Sequence, residues 1–157
     1  SVETAQQMHD AVLAKLPVAD VVIKAAAVAD YRPTRAAGQK LKKSEGLSEI
    51  RLEPTPDILA EIGARKGRRV VVGFAAETQD LVANGRKKLE RKQLDLLVAN
   101  DVSQPGAGFD ADTNIVKILD AAGGVEALPL LLKREVAHRI LDRVAALLAD
   151  KGHPPAN

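Results

Sequence analysis

Several basic side chains in this sequence stand where they could hold a phosphate group. Lys88 and Lys92 lie four residues apart in the segment RKKLERK, so on a helix they share one face and could bind one polyphosphate together. Lys40 opens the segment KLKK in a polar stretch with two glycines, whose composition predicts a mobile loop. A lysine on such a loop can close over phosphate and neutralise charge that develops during its transfer. Both basic segments could instead be ordinary solvated charges.

A second group combines small residues, an acid, an aromatic ring and two amides. Ala27 ends a run of three alanines, which lets the backbone approach a flat ring closely. Asp30 could bind a ribose hydroxyl or a magnesium ion, or it could be a plain loop acid beside alanines that only pack. Phe74 follows an apolar strand, where it could pack on a base or sugar or belong to the core. Asn100 and Asn114 lie in polar segments that could line a pocket or merely turn the chain.

A third feature is the start of a predicted helix, with Thr55 as its cap and Pro56 at its first position. Asp57 supplies an acid in the first turn, and Ile58 and Leu59 continue the helix. A helix amino terminus presents unpaired backbone amides and a partial positive charge, which suits an anion. Most helix starts bind nothing, so this feature alone decides little.

The elements that must position these residues alternate between strands and helices. Helices are predicted over residues 3–16, 55–67 and 80–92. Strands are predicted over residues 20–23, 48–52, 70–72, 94–99, 115–119 and 125–128. A final helix places one apolar face toward the core, made by Leu132, Val136, Ile140, Leu141, Val144, Leu147 and Leu148.

Continuous apolar strands alternating with helices predict an α/β, Rossmann-like three-layer fold with a mainly parallel sheet. We expect one domain over residues 1–157. Sheets of this kind bind ligands where loops leave the carboxyl ends of the strands, and three of the candidate segments follow predicted strands. The sequence therefore predicts a ligand site at that edge of the sheet.

Composition narrows the classes of function. The 23 basic and 21 acidic residues give a net charge of +2, which argues against general nucleic-acid binding. The absence of cysteine excludes disulfides, thiolate zinc sites and thiol nucleophiles, and the three histidines show no ligand spacing. No apolar run approaches the ~20 residues that cross a bilayer, and the first residues do not resemble a signal peptide. These features favour a cytoplasmic protein.

Taken in order, the segments AAVADYRP, KLKK, TPDIL, VVGFAAET, KKLERKQLDLLVANDVS and GFxxDxN resemble the phosphopantothenoylcysteine synthetase domain. In most bacteria this domain is fused to a phosphopantothenoylcysteine decarboxylase, which carries FMN. The resemblance extends from the first helix to the last. It implies a modified dinucleotide-binding fold with a small β extension used in dimerisation. It also implies a ligase that joins phosphopantothenate and cysteine, using CTP with Mg²⁺ and an acyl-cytidylate intermediate.

The resemblance also implies roles for particular residues. Lys40 matches the first lysine of the family's KxKK flap, which is linked to the cysteine-coupling step. Asp30 matches an acid that contacts the nucleotide, and it is the candidate for a metal contact. The remaining matches to CTP contacts are Ala27, Pro56, Asp57, Ile58, Leu59, Phe74, Lys88 and Lys92.

The family domain begins with a strand, a glycine-rich turn and an NxSSGKMG-like segment, which has no counterpart in these 157 residues. We therefore expect the chain to correspond to the carboxyl-terminal two-thirds of the domain. A non-catalytic nucleotide-binding or dimerisation fragment is the alternative function. An unrelated Rossmann-like oxidoreductase ranks last, because the chain lacks the GxGxxG turn.

Overall fold

The computed structural model describes residues 1–35, 38–39, 49–77, 80–101 and 111–152. The helices in this part of the chain are α1 (Ala5–Lys15), α2 (Ile58–Ala64), α3 (Leu81–Arg91) and α4 (Lys133–Asp150), with a 3₁₀ turn at Leu16–Val18. The strands of the main sheet are β1 (Val21–Lys24), β4 (Val70–Glu77), β5 (Leu96–Asp101), β7 (Val116–Asp120) and β8 (Val125–Ala127). Two small sheets contain β2 (Tyr31–Pro33), β3 (Leu52–Pro54), β6 (Thr113–Asn114) and β9 (Leu131–Leu132).

The main sheet has the strand order β1-β4-β5-β7-β8. Strands β1, β4 and β5 are parallel, so their carboxyl ends lie at one edge. β7 runs antiparallel to β5, and the short turn at residues 121–124 returns the chain antiparallel into β8. The predicted α/β fold with a mainly parallel central part is therefore confirmed.

Helices cover both faces of the sheet, because alternate strand residues point to opposite sides. Val71 and Leu97 pack on one face with apolar residues of α1, α2 and α3. Val72 and Val98 pack on the other face with residues of α4 such as Ile140. All four strand residues are fully buried, so the continuous apolar runs reflect strands enclosed between two helical layers.

The small sheet of β2 and β3 is the counterpart of the expected β extension. Tyr31 pairs with Pro54 and Pro33 with Leu52 in antiparallel register. Tyr31 and Leu52 are both more than half exposed, so the ribbon presents apolar surface outward. Its use in dimerisation remains a prediction.

Two local predictions were wrong, and one strand was missed. The strand predicted over residues 48–52 differs from the structure, in which residues 49–51 are not in a strand and the strand of this region is β3, Leu52–Pro54. β2 was not predicted, because YRP carries no periodic apolar signal. The final helix has the predicted amphipathic face, yet Leu132 and Leu141 are about half exposed. Leu132 lies in β9 and precedes α4 as its N-cap, while Leu141 stands at the margin of the apolar stripe of α4 and is left partly in solvent.

The start of α2 also differs from the prediction. Asp57 is the N-cap, and its carboxylate accepts a hydrogen bond from the Ala60 N–H at 3.1 Å. Thr55 lies outside the helix, where its hydroxyl donates to the Ala29 carbonyl and its N–H donates to the Asp30 carbonyl at 2.9 Å. Tertiary contacts to the loop after β1 therefore use the groups that would have capped the helix.

Candidate functional site

The predicted site residues that the structure describes form two groups, one on each face of the sheet. Asp57 and Lys92 meet on the face covered by α1, α2 and α3. Ala27 and Phe74 line a cavity on the face covered by α4. The loop that carries Ala27 and Asp30 follows β1 and crosses the edge between the two faces.

Lys92 forms an ion pair with Asp57, with 2.9 Å between its Nζ and the carboxylate Oδ1. The Lys92 side chain is only 15% exposed, whereas that of Asp57 is 50% exposed. Burial alone would raise the pKa of Asp57, but the hydrogen bonds from Lys92 and the Ala60 N–H outweigh it and hold the pKa below its usual value. Lys92 is thus not a plain solvated charge, and any phosphate would compete with Asp57 for it.

The position of Lys92 is set by close packing between α2 and the end of α3. A side chain at Gly63 of α2 would overlap the Lys92 carbonyl oxygen, so only glycine permits this approach. Lys92 lies just beyond α3, and its N–H donates to the Lys88 carbonyl at 3.0 Å. Lys88 is partly buried one turn earlier on the same helix.

Lys24 belongs to this charged group, although nothing in the sequence selects it beyond its place at the end of an apolar strand. Its Nζ donates to the Ala26 carbonyl at 3.0 Å. Burial is the main cause that lowers the pKa of Lys24, and the charge of Lys92 adds to it, while Asp57 and Asp30 act in the opposite direction. Four charged groups from three separate segments therefore lie within electrostatic reach of one another.

The backbone tie between Thr55 and residues 29–30 brings Asp30 toward the start of α2. The Asp30 side chain is exposed there. Within the described residues no group of three or more His, Cys, Asp or Glu side chains could hold a metal ion. Asp30 is therefore one exposed carboxylate and not part of a preformed metal cage.

Ile58 and Leu59 contribute differently from Asp57. Their side chains are 2% and 5% exposed and belong to the core between α2 and the sheet. The Ile58 N–H donates to the Pro56 carbonyl at 3.0 Å. Neither apolar side chain can reach a ligand, so contacts at this segment are restricted to Pro56, Asp57 and the backbone.

The cavity on the α4 face has a volume of about 480 Å³, within the range of small-molecule sites. Small or apolar residues form most of its wall: Ala25, Ala26, Ala27, Phe74, Ala75, Ala76, Val136, Ala137 and Ile140. Asn100, Asn114 and Lys133 supply its polar groups. Phe74 also packs against the buried core, and its packing on a base or sugar stays a prediction.

Asn100 is the most informative polar group of this cavity. Its Oδ1 atom is buried and accepts no hydrogen bond from the part of the chain that the structure describes. A buried acceptor without a partner is costly, and a ligand with an N–H group would satisfy it. The prediction that Asn100 and Asn114 could line a pocket is confirmed, while Lys40 lies outside the described residues.

Among the described helices, none combines the length and the apolar character that crossing a bilayer requires. The strand order and the lining of its cavity define an α/β domain with a partly enclosed, mainly apolar site that carries a few polar groups. Residues 1–148 match the DNA/pantothenate metabolism flavoprotein C-terminal domain, and the chain belongs to this family.

Relatives of known sequence agree with this membership. A Bacillus subtilis (strain 168) protein, the coenzyme A biosynthesis bifunctional protein CoaBC, is 48% identical over 151 residues. The protein of the same name from Vibrio vulnificus (strain CMCP6) is 44% identical over 151 residues. The matches cover 96% and 94% of this chain, which spans 37% of the length of each relative.

The fold is also that of a solved relative. The crystal structure of the C-terminal domain of a coenzyme A biosynthesis bifunctional protein CoaBC superposes with a TM-score of 0.77 at 40% sequence identity. The match covers 95% of this chain and 65% of the solved one. The Rossmann-like fold is therefore supported by an experimental structure as well as by the strand order.

Proposed function

We propose that this chain supplies the phosphopantothenate–cysteine ligase activity of a coenzyme A biosynthesis protein, with CTP as the activating nucleotide. The observation that carries the proposal is that Asp30, Asp57 and Lys92 lie within electrostatic reach of Lys24, beside the loop whose Ala27 lines a cavity together with Phe74. They come from four separate segments of the sequence. Family membership and the resemblance of the motifs support the same function.

The proposed reaction has two steps. A carboxylate oxygen of phosphopantothenate bonds to the α-phosphorus of CTP, and pyrophosphate leaves. The cysteine amine then bonds to the acyl carbon of this acyl-cytidylate and loses a proton, and CMP leaves with the electrons of the broken C–O bond. Activation is needed because a carboxylate is a poor electrophile, whereas a mixed anhydride has a good leaving group.

The residues of the site suit the charges of this reaction. Lys92 and Lys88 would face the phosphates, where positive charge stabilises the leaving pyrophosphate. The cavity beside Ala27 and Phe74 is large enough for a base and sugar. Lys40 would close over the intermediate and assist cysteine coupling.

Mg²⁺ would enter with the triphosphate of CTP, because this ion keeps several waters and takes few protein ligands in phosphate sites. A metal that arrives with the nucleotide needs few protein ligands, so the single exposed carboxylate of Asp30 would suit it. A metal held by the protein alone would need more ligands than Asp30 supplies. Bound Mg²⁺ would neutralise phosphate charge. FMN belongs to the proposed fused decarboxylase domain and would bind there.

The proposal extends to assembly and location. We expect a cytoplasmic homodimer with the β2–β3 ribbon as part of its interface, and no nucleic acid or membrane as partner. The exposed Tyr31 and Leu52 of that ribbon are the surface that supports an interface. Sedimentation of the chain at several concentrations would measure the oligomeric state.

A coupled pyrophosphate assay tests the ligase. CTP, phosphopantothenate and cysteine are supplied to this chain and to a version that includes the preceding segment of a CoaBC protein. We expect pyrophosphate release by the extended version, with amide product only when cysteine is present. If the extended version binds CTP but releases no pyrophosphate, the alternative of a non-catalytic nucleotide-binding fragment is supported and the ligase proposal fails.

A further inference from the structure

Lys24 differs in its surroundings from three other partly buried lysines of this protein. Lys66, Lys92 and Lys151 each place Nζ within 3.0 Å of a carboxylate oxygen. Among the described residues no carboxylate lies within ion-pair distance of Lys24, whose ammonium donates to the Ala26 carbonyl. A partly buried positive charge loses some of its hydration, and at Lys24 no ion pair within the described residues replaces it.

The carboxylates nearest to Lys24 do not neutralise its positive charge. Asp57 already accepts Lys92 at 2.9 Å, and Asp30 has its carboxylate at the exposed surface. Lys92 repels Lys24, and burial and this repulsion together lower the pKa of Lys24. An anion placed between the two ammonium groups would relieve both effects.

The place of Lys24 in the fold indicates where such an anion would come from. Lys24 is the last residue of β1, and its ammonium reaches the loop whose residues 25–27 form part of the cavity wall. Lys24 also lines a second cavity of about 190 Å³ together with Ile58 and Ile62 of α2, the helix whose N-cap Asp57 pairs with Lys92. Lys24 therefore stands between the cavity proposed for the nucleoside and the lysine proposed for the phosphates.

We infer that Lys24 is a further phosphate-binding residue of this site and contacts the polyphosphate of the nucleotide together with Lys92. This inference rests on the proposed nucleotide site. A polyphosphate suits the position because several charged oxygens along one chain can contact two lysines at once. The phosphate of phosphopantothenate is the other source of the same chemistry, and the experiment separates the two.

Calorimetric titration of the chain tests the inference with four ligands: CTP, inorganic pyrophosphate, cytidine and phosphopantothenate. The variants are Lys24→Met, Lys24→Gln, Lys24→Arg and the control Lys15→Met, which removes an exposed lysine at the end of α1. We expect Lys24→Met and Lys24→Gln to bind CTP and pyrophosphate roughly tenfold or more weakly, because a charge-assisted contact is lost. Cytidine binding should not change, Lys24→Arg should retain most of the affinity, and Lys15→Met should bind like the parent.

Each other outcome has a definite meaning. Equal affinity of the parent and the folded Lys24→Met or Lys24→Gln for CTP and pyrophosphate overturns the inference and leaves the proposed function intact. A loss restricted to phosphopantothenate assigns Lys24 to the other substrate and overturns its role with the nucleotide. If the parent does not bind CTP but binds pyrophosphate, and Lys24→Met loses that binding, the anion contact of Lys24 stands and the proposed function fails. If the parent binds neither ligand, both the inference and the proposed function fail.

Discussion

Lys92 reaches from the end of α3 to Asp57 at the start of α2, and it is largely buried on the way. Phosphate binding at Lys92 would therefore exchange one anionic partner for another. Asp57 is half exposed and can turn toward water, which limits the free-energy cost of that exchange. At the scale of the residue, affinity for a nucleotide depends on how much more strongly several lysines bind phosphate than they bind the protein's own carboxylates.

Replacement of both Lys88 and Lys92 by Ala should weaken CTP binding more than it weakens the fold. Loss of the partly exposed Asp57–Lys92 pair should reduce the free energy of unfolding by up to about 1 kcal/mol. Each lost charge-assisted phosphate contact should reduce binding by about 1.5–3 kcal/mol. Urea denaturation and calorimetry give the two values, with exposed Lys87→Ala as the control. Unchanged CTP affinity would favour the interpretation of these lysines as structural or solvated charges.

Lys40→Gln, in a version of the domain that releases pyrophosphate, should slow amide formation more than it slows pyrophosphate release. A flap that closes after the first step stabilises only the species of the second step, so the two half-reactions need not fall together. Single-turnover experiments with and without cysteine should show acyl-cytidylate accumulating in the variant. Equal losses in both half-reactions would instead make Lys40 a simple contact to the phosphates of CTP.

Asp95 joins three elements at the end of the sheet where β5 begins. Its carboxylate accepts hydrogen bonds from Lys66 at 3.0 Å, from Lys151 at 2.8 Å and from the Val71 N–H at 2.8 Å. Lys66 follows α2, Lys151 follows α4, and Asp95 itself directly precedes β5. At the scale of the element, one buried carboxylate fixes helices from both layers to the strands between them.

Asp95→Ala should reduce the free energy of unfolding by about 3–5 kcal/mol, because it leaves two partly buried ammonium groups without their anion. Urea denaturation near neutral pH measures this loss. Asp142→Ala, which removes an exposed carboxylate of α4, should change the stability by less than about 0.5 kcal/mol. A similar small effect at Asp95 would show that the cluster adds nothing to stability.

The Asp95 carboxylate also makes the unfolding free energy of the protein depend on pH in the acid range. Burial would raise the pKa of Asp95, but the hydrogen bonds from Lys151, the Val71 N–H and Lys66 outweigh it and lower the pKa. Its stabilising contribution is therefore complete above the pKa of the unfolded chain, about 3.9, and is lost as pH falls through the lower pKa of the folded state. The unfolding free energy of Asp95→Asn should fall less steeply below pH 4 than that of the parent. Parallel curves would contradict this assignment.

At the scale of the whole molecule, the ligand site depends on segments that are far apart in the sequence. CTP with Mg²⁺ should raise the melting temperature of the chain, or of its extended version, more than ATP does, because a ligand that binds only the native state stabilises it. Thermal unfolding with each of the four nucleoside triphosphates makes the comparison. Equal shifts would contradict selectivity for the base, and no shift in the extended version would defeat the site assignment.

The alternating elements and the three-layer fold can be predicted from the order of amino acids alone. Val70, Val71 and Val72 form an uninterrupted apolar run because both of their faces are covered, and that pattern is legible without coordinates. Ala27 and Asp30 could be selected because they lie in the loop after β1, where such sheets bind ligands, whereas Phe74 lies within β4 and not after it as predicted. Local sequence patterns and a general rule of topology were sufficient to predict the elements and the sheet edge where a ligand is expected.

The partners of these residues, in contrast, are set by the folded arrangement. Asp57 and Lys92 are 35 positions apart, and nothing local in either segment indicates that they form an ion pair. In the sequence, Lys24 is only a basic residue at the end of an apolar strand, and its interaction with the charge of Lys92 is known only from the fold. Likewise, only the structure shows that the Asn100 side-chain oxygen is buried and unpaired among the described residues. Charge and hydrogen bonding act through space over a few ångströms, whereas sequence patterns report only on neighbours along the chain.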